Sequence, residues 1–167
     1  MTATICDYVI RNYRPGDYDW VLAALLQLQA HEYAIHDSRV PAEPGPTKLY
    51  LDEMLARLAE NDGALLIAER GGVSVGLVGG HTVNAPWPLE TADSNFYAYV
   101  SDIFIEPDHR GTGLAAQLLD AIAAHFRALP LPLRRLRLNT LAANAIARAA
   151  YEKAGFQPYE VIYERPL

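Results

Sequence analysis

The feature that most constrains this chain is Arg110-Gly111-Thr112-Gly113-Leu114-Ala115, a glycine turn between a strand-like run, Phe96 to Glu106, and a helix-like run, Gly113 to Leu129. Glycines let such a turn bend sharply and leave no Cβ in the way of a closely approaching group. The free N–H groups of the first helical turn, aided by the helix dipole, then point at an anion, and a pyrophosphate suits that arrangement. Arg110 adds a side chain for charge-assisted contact. Gly111-x-Gly113-x-x-Ala116 also satisfies a dinucleotide-binding pattern. That pattern belongs after the first strand of a βαβ unit, with an acidic residue about 20 positions on. Here it lies two-thirds along the chain, and the later region supplies Arg134 and Arg135. A P-loop is excluded, because no Gly-Lys-Ser/Thr follows.

The rest of the chain reads as alternating elements. Strand patterns occupy Ile5 to Tyr13, Ala64–Glu69, Val73–Val83, Leu133 to Asn139 and Pro158 to Glu164, with a hairpin at Arg70-Gly71-Gly72. Helical spacing occupies Asp17 to Tyr33, with Trp20, Leu25 and Leu28 on one flank. A second helix, capped by Thr47, carries Leu51, Leu55 and Leu58. The prolines between Pro41 and Pro46 predict a loop, as does the stretch Ala85 to Asn95 around Trp87. Leu114, Leu118, Ile122 and Phe126 form the buried stripe of the helix after the glycine turn. Ala145 to Lys153 is a short helix stopped by Gly155.

A chain of 167 residues fits one domain, 1–167, and no linker or repeat divides it. The single cysteine, Cys6, excludes an internal disulfide and suits a reducing compartment. The five histidines are scattered without zinc spacing, so no metal is expected. No apolar run approaches the ~18 residues a membrane span requires, and no signal sequence is legible, so the expected location is cytoplasmic. The net charge of −6 divides unevenly: residues 1–106 carry −9 and residues 107–167 carry +3. An acidic first part attracts a cation and a basic last part an anion. The acidic total argues against nucleic-acid binding, which needs a basic stripe.

A second constellation lies at Asn144-Ala145-Ile146-Ala147-Arg148-Ala149-Ala150-Tyr151-Glu152-Lys153-Ala154-Gly155-Phe156. Asn144, Arg148 and Tyr151 recur at spacings that place them on one helix face. Together with Asp102-Ile103-Phe104-Ile105-Glu106-Pro107-Asp108-His109 and the glycine turn, these residues resemble the GNAT superfamily, the GCN5-related N-acetyltransferases. The resemblance covers nearly the whole chain. It implies an α/β (α+β type) fold: a mixed, mostly antiparallel sheet of about seven strands flanked by four helices and splayed between the fourth and fifth strands. It implies acetyl-CoA as cosubstrate, with pantetheine along Ile103, Phe104 and Ile105 and pyrophosphate on the amides from Arg110 through Gly111, Thr112, Gly113 and Leu114 to Ala115. Asn144 is implied to contact the cofactor, Arg148 on the same helix face is expected to bind it as well, and Tyr151 is implied to protonate the departing thiolate.

Acetyl transfer to an amine requires a neutral nucleophile, a stabilised oxyanion and a leaving thiolate, with positioning supplying much of the rate. Asp102 is the candidate base; bonding a nearby loop is its competing role, and His81 or water are others. The related diamine branch carries an acidic pair where this chain has Ser101-Asp102, which counts against a polyamine acceptor. The expected acceptor is a small-molecule or peptide amine, bound near the first two helices and the 85–95 loop, where Glu32, Tyr33, Asp37, Glu43, Tyr50, Trp87, Tyr97 and Tyr99 lie. A longer acyl group, or a non-catalytic acyl-CoA sensor, are the rival readings. The last strand offers an edge to a second copy, so a homodimer is among the expectations.

Overall fold

The computed structural model describes residues 8–167. Cys6 and the start of the expected first strand, residues 5–7, lie outside the described residues. Five strands form one sheet in sequence order: β1 (Val9–Asn12), β2 (Ala64–Arg70), β3 (Val73–Asn84), β4 (Phe96–Ile105) and β5 (Leu136–Leu138). The first four pair antiparallel, and β5 joins β4 in parallel. Helices α1 (Tyr18–Ile35) and α2 (Pro44–Glu60) follow β1, a single turn α3 (Ala92–Asn95) precedes β4, and α4 (Leu114–Ala128) and α5 (Ala145–Lys153) complete the chain. No helix among the described residues is long and apolar enough to cross a membrane.

Two apolar layers fix this arrangement. On one face of the sheet, Leu114, Leu118, Ile122 and Phe126 of α4 meet Leu66, Val78, Ala98 and Val100. On the other, Val21 and Leu25 of α1 and Leu51, Met54 and Leu58 of α2 meet Ile67, Leu77 and Phe104. Burying each such side chain contributes about 1.5–3 kcal/mol. The predicted α4 stripe is buried as expected. So is the α2 stripe, except that Leu55 is only partly covered.

β4 changes face partway along. Gly79 pairs with Asp102 but Gly80 pairs with Val100, so Ser101 is an extra residue in the ladder, a β-bulge. Ala98 and Val100 therefore face α4, whereas Asp102 and Phe104 would share that side in a regular strand and instead turn away from it. Glycine on β3 makes room for the bulge: a Cβ at Gly80 would stand 2.8 Å from the Tyr99 carbonyl oxygen.

Several expectations are corrected. Among the described residues the sheet has five strands, not about seven. Pro158–Glu164 forms no strand; β5 is only three residues long, and the tail leaves Val161, Ile162 and Tyr163 exposed. α2 begins at Pro44, not at Thr47, because proline's fixed φ suits the first helical position. Thr47 is inside the helix, its hydroxyl donating to the Glu43 carbonyl at 2.8 Å. The four expected helices are joined by the short α3 within the predicted 85–95 loop.

Candidate functional site

β5 accompanies β4 only over Ala98–Val100, opposite Leu136–Leu138. Beyond Val100, β4 keeps β3 as its one strand partner, and the sheet parts between β4 and β5. Main-chain groups of every second β4 residue then face the opening. A cleft of about 660 Å³ fills this gap, bounded by Ser101–Ile105 on one side and by Leu138–Leu141 and α5 on the other.

At one end of the cleft stands the glycine turn. Gly111 and Gly113 adopt φ of 73° and 89°, the left-handed region that L side chains disfavour, and open space lies where a Cβ of either would point. Arg110 N–H closes the 3-10 turn at Pro107–His109 onto the Pro107 carbonyl at 3.2 Å, so, against expectation, it is not among the free amides; the next amide to reach a carbonyl is that of Gln117, bonded to Gly113 at 3.3 Å. Among the described residues, the amides from Gly111 to Ala116 donate to nothing. They form a row of N–H groups at a helix N-terminus, and a diphosphate fits such a row. The Thr112 hydroxyl donates to the His109 carbonyl at 2.8 Å, so it closes the turn from behind. Tyr8 braces the same turn, its hydroxyl 3.1 Å from both His109 Nδ1 and Thr112 Oγ1. Arg110 folds back, its Nε donating to the Ile105 carbonyl at 2.9 Å.

Midway, α5 presents Tyr151 to the cleft. Its position is set by the helix end. Phe156 N–H bonds the Tyr151 carbonyl and Gly155 N–H bonds the Glu152 carbonyl, each at 3.0 Å. This is the Schellman arrangement; Gly155 supplies its left-handed residue at φ 89°, and the Tyr151 and Phe156 rings meet at 6.3 Å. The spacing Tyr-x-x-x-Gly-Phe is thus a helix stop that also anchors the tyrosine. Burial, with Glu32, Tyr99 and Asp102 nearby, pushes the Tyr151 phenol up to about 12, which keeps its proton in place at neutral pH. At the start of α5, Asn144 caps the helix, its Oδ1 accepting from Ala147 N–H at 3.1 Å.

At the far end, the bulge delivers Asp102 onto the α1/α2 face, 7% exposed. Tyr50 of α2 donates its hydroxyl to both carboxylate oxygens, at 3.0 and 2.9 Å. Burial raises Asp102 above the usual carboxylate range, and the Glu32 charge adds to the shift, while the Tyr50 hydroxyl opposes it. Burial, then the Asp102 charge, holds the Tyr50 phenol protonated. His81 sits on β3 opposite Tyr99, its rings edge-on at 5.8 Å, and burial lowers its proton affinity so that it stays neutral.

Of the predicted residues, Asp102, Ile103, Phe104, Ile105, Arg110, Gly111, Gly113, Leu114, Ala115, Asn144 and Tyr151 line one cleft. Thr112 lies behind it. Arg148 is exposed and bonds the Ala142 carbonyl at 3.3 Å. Of the expected acceptor region, Glu32 and Tyr50 line the cleft; Tyr33, Asp37, Glu43, Trp87, Tyr97 and Tyr99 do not. Trp87 is 60% exposed, its loop tied down by Asn95 through bonds of 2.9 and 3.1 Å. Gln29 and Arg39 line the cleft without having been foreseen, because no local pattern marks them.

Comparison with known proteins agrees with this fold. The model of the Acetyltransferase (GNAT) family matches residues 23–156. The uncharacterized N-acetyltransferase YycN of Bacillus subtilis is 34% identical over 70 residues, a stretch that is 42% of this chain and 44% of that protein, so the match spans less than half of its length. A mutant of the BH1408 protein from Bacillus halodurans superposes with a TM-score of 0.80 at 23% identity, covering 95% of this chain and 99% of that one. The aminoglycoside N-acetyltransferase AAC(6')-Iy, solved in complex with CoA, gives 0.70 at 18% identity, covering 96% and 95%.

Proposed function

The chain belongs to the GNAT acetyltransferase family, and from that premise we propose that it transfers an acetyl group from acetyl-CoA to a primary amine of a small molecule or peptide, by direct attack within a ternary complex. One observation carries the reading: the row of undonated amides, Gly111 to Ala116, opens onto the same cleft as Tyr151 and Asp102. The amides hold the diphosphate, and the parted edge of β4 at Ile103–Ile105 receives the extended arm. Acetyl-CoA supplies an activated thioester when bound, as CoA is bound by the structural relative AAC(6')-Iy.

The residues around that arm divide the proton work. An ammonium must lose its proton to become a nucleophile, and Asp102, with its raised proton affinity, takes it directly or through water. Tyr151 retains its proton at neutral pH and gives it to the thiolate as the carbon–sulfur bond breaks. Main-chain N–H groups of β4 that face the opening polarise the thioester carbonyl. The carboxylate gains a proton and the phenol loses one; the second proton of the attacking nitrogen restores the phenol as the amide forms, and Asp102 releases the net proton to water.

The test is Tyr151→Phe, assayed by thiol release against amines and by titration with acetyl-CoA. Turnover is expected to fall on the order of 100-fold, with acetyl-CoA affinity kept. Unaltered turnover across the panel removes Tyr151 from the chemistry. Tight acetyl-CoA binding by the unaltered protein without acetylation of any amine supports the sensor reading instead.

A further inference from the structure

The acceptor end of the cleft contains a cation whose recognition capacity is mostly unspent. Arg39 follows α1 and lines the cleft with Tyr50, Asp102 and Tyr151. Its Nε donates to Glu32 Oε2 at 2.6 Å. Among the described residues its two terminal nitrogens have no partner, and its side chain is 40% exposed. The segment that carries it is fixed from both sides. Gln29 Nε2 donates to the Val40 carbonyl at 2.6 Å, and Arg39 N–H bonds the His36 carbonyl at 3.3 Å. His36 Nδ1 in turn meets the Ser38 hydroxyl at 2.8 Å. The guanidinium is therefore oriented before any ligand arrives, with Glu32 holding one edge.

A guanidinium held by Nε offers its terminal N–H pair as a fork, and a planar carboxylate matches that fork in two parallel bonds. A second ammonium on the acceptor would instead meet the guanidinium as like charge, with only the remaining Glu32 oxygen to serve as its counter-ion. Glu32, Arg39, Asp102 and Tyr151 all line the same cleft, so the fork and the proton-handling groups face one ligand space. We propose that Arg39 is the specificity residue of the acceptor site, binding a carboxylate on the molecule whose amine is acetylated. The acceptor is then a small amino acid-type zwitterion. Its amine faces Asp102 and its carboxylate faces Arg39. This rests on the transferase reading above and narrows its substrate class.

The experiment compares matched acceptors: a set of amino acids, the amide of each and the corresponding decarboxylated amine. Thiol release from acetyl-CoA is followed for the unaltered protein, Arg39→Gln and Arg39→Lys. The unaltered protein is expected to favour the acid over its amide by roughly 10- to 100-fold in kcat/KM, the difference residing in KM. Arg39→Gln brings that ratio close to one; Arg39→Lys, which keeps the charge and loses the fork, falls between. Acetyl-CoA titration of each variant verifies that the fold is retained. Amides or plain amines acetylated as well as acids by the unaltered protein, or a ratio that survives in Arg39→Gln, overturn the assignment of Arg39 and leave the transferase reading standing. Acetyl-CoA bound with no amine of any class acetylated overturns both.

Discussion

The two ends of the cleft are built from different parts of the polypeptide. At the cradle end, main-chain N–H groups from Gly111 to Ala116 face outward, and the side chains of Thr112, His109 and Tyr8 brace them from behind. At the acceptor end, the polar groups are side chains drawn from three separate elements: Glu32 on α1, Tyr50 on α2 and Asp102 at the β4 bulge. A surface made of backbone serves any ligand with a diphosphate, whatever the rest of the molecule is. A surface made of side chains changes with each substitution, and specificity resides there.

The largest expected effect breaks the cradle. Gly113→Asp forces an L residue into φ 89°, which costs about 1–2 kcal/mol, and adds a carboxylate beside the amides proposed to hold the diphosphate. Acetyl-CoA affinity, read by titration, is expected to drop 100-fold or more. Affinity within a few-fold of the unaltered protein would show that the backbone row is not the anion site, and the contrast between the two ends would lose its basis.

That contrast also explains how much was legible in the residues alone. Gly111 and Gly113 stand where the backbone requires positive φ, so the cradle was written in residue types and spacing. The Tyr151–Gly155–Phe156 stop was legible for the same reason, a helix end with one permitted chemistry. The place of Asp102 was only partly legible. Simple alternation puts it on the side of Val100, and only the extra residue at Ser101 turns it toward Tyr50. Arg39 and Gln29 had no signal, since their meeting with the cleft depends on how the segment after α1 folds back. The 85–95 loop, rich in aromatic and acidic residues, looked like an acceptor wall. In the fold, Asn95 and the Arg135–Asp93 pair at 2.9 Å hold it aside. The final strand expected at Pro158–Glu164 rested on β-branched and aromatic residues alone, and in the fold that segment pairs with no strand.

An intermediate effect belongs to the acceptor end. Asp102→Asn removes the proposed base while keeping shape, and kcat/KM at neutral pH is expected to fall on the order of 10- to 100-fold. Its pH dependence sharpens the test. The folded-state proton affinity of Asp102 is raised by burial, so the native protein binds this proton more readily than the unfolded chain does. Stability from this group is full below the unfolded carboxylate value and is lost as pH rises through the raised folded value. Asp102→Asn should therefore flatten that part of the stability profile and raise Tm at pH 7–8 relative to the unaltered protein. In the activity profile, the acidic limb that reports deprotonation of Asp102 should vanish. A limb that persists unchanged in Asp102→Asn assigns the base to another group, and the neutral His81 on the adjacent strand becomes the next to test.

The smallest effect separates positioning from chemistry. Tyr50 touches the carboxylate through two bonds of 3.0 and 2.9 Å, and a hydroxyl donating to the charged form favours that form. Tyr50→Phe takes away both bonds and leaves the ring packed against the core on the α1/α2 face. Asp102 then holds its proton still more firmly, and the acidic limb of kcat/KM moves to higher pH. At pH 7 the rate falls only a few-fold, and it is recovered at higher pH, where the carboxylate is ionised despite the lost donor. A purely structural tyrosine predicts something else: a lower Tm with the limb in its original place. The two outcomes differ in direction along the pH axis, so a weak loss of rate suffices to decide whether α2 merely covers the sheet or also sets the proton affinity of the group that the bulge turns toward it.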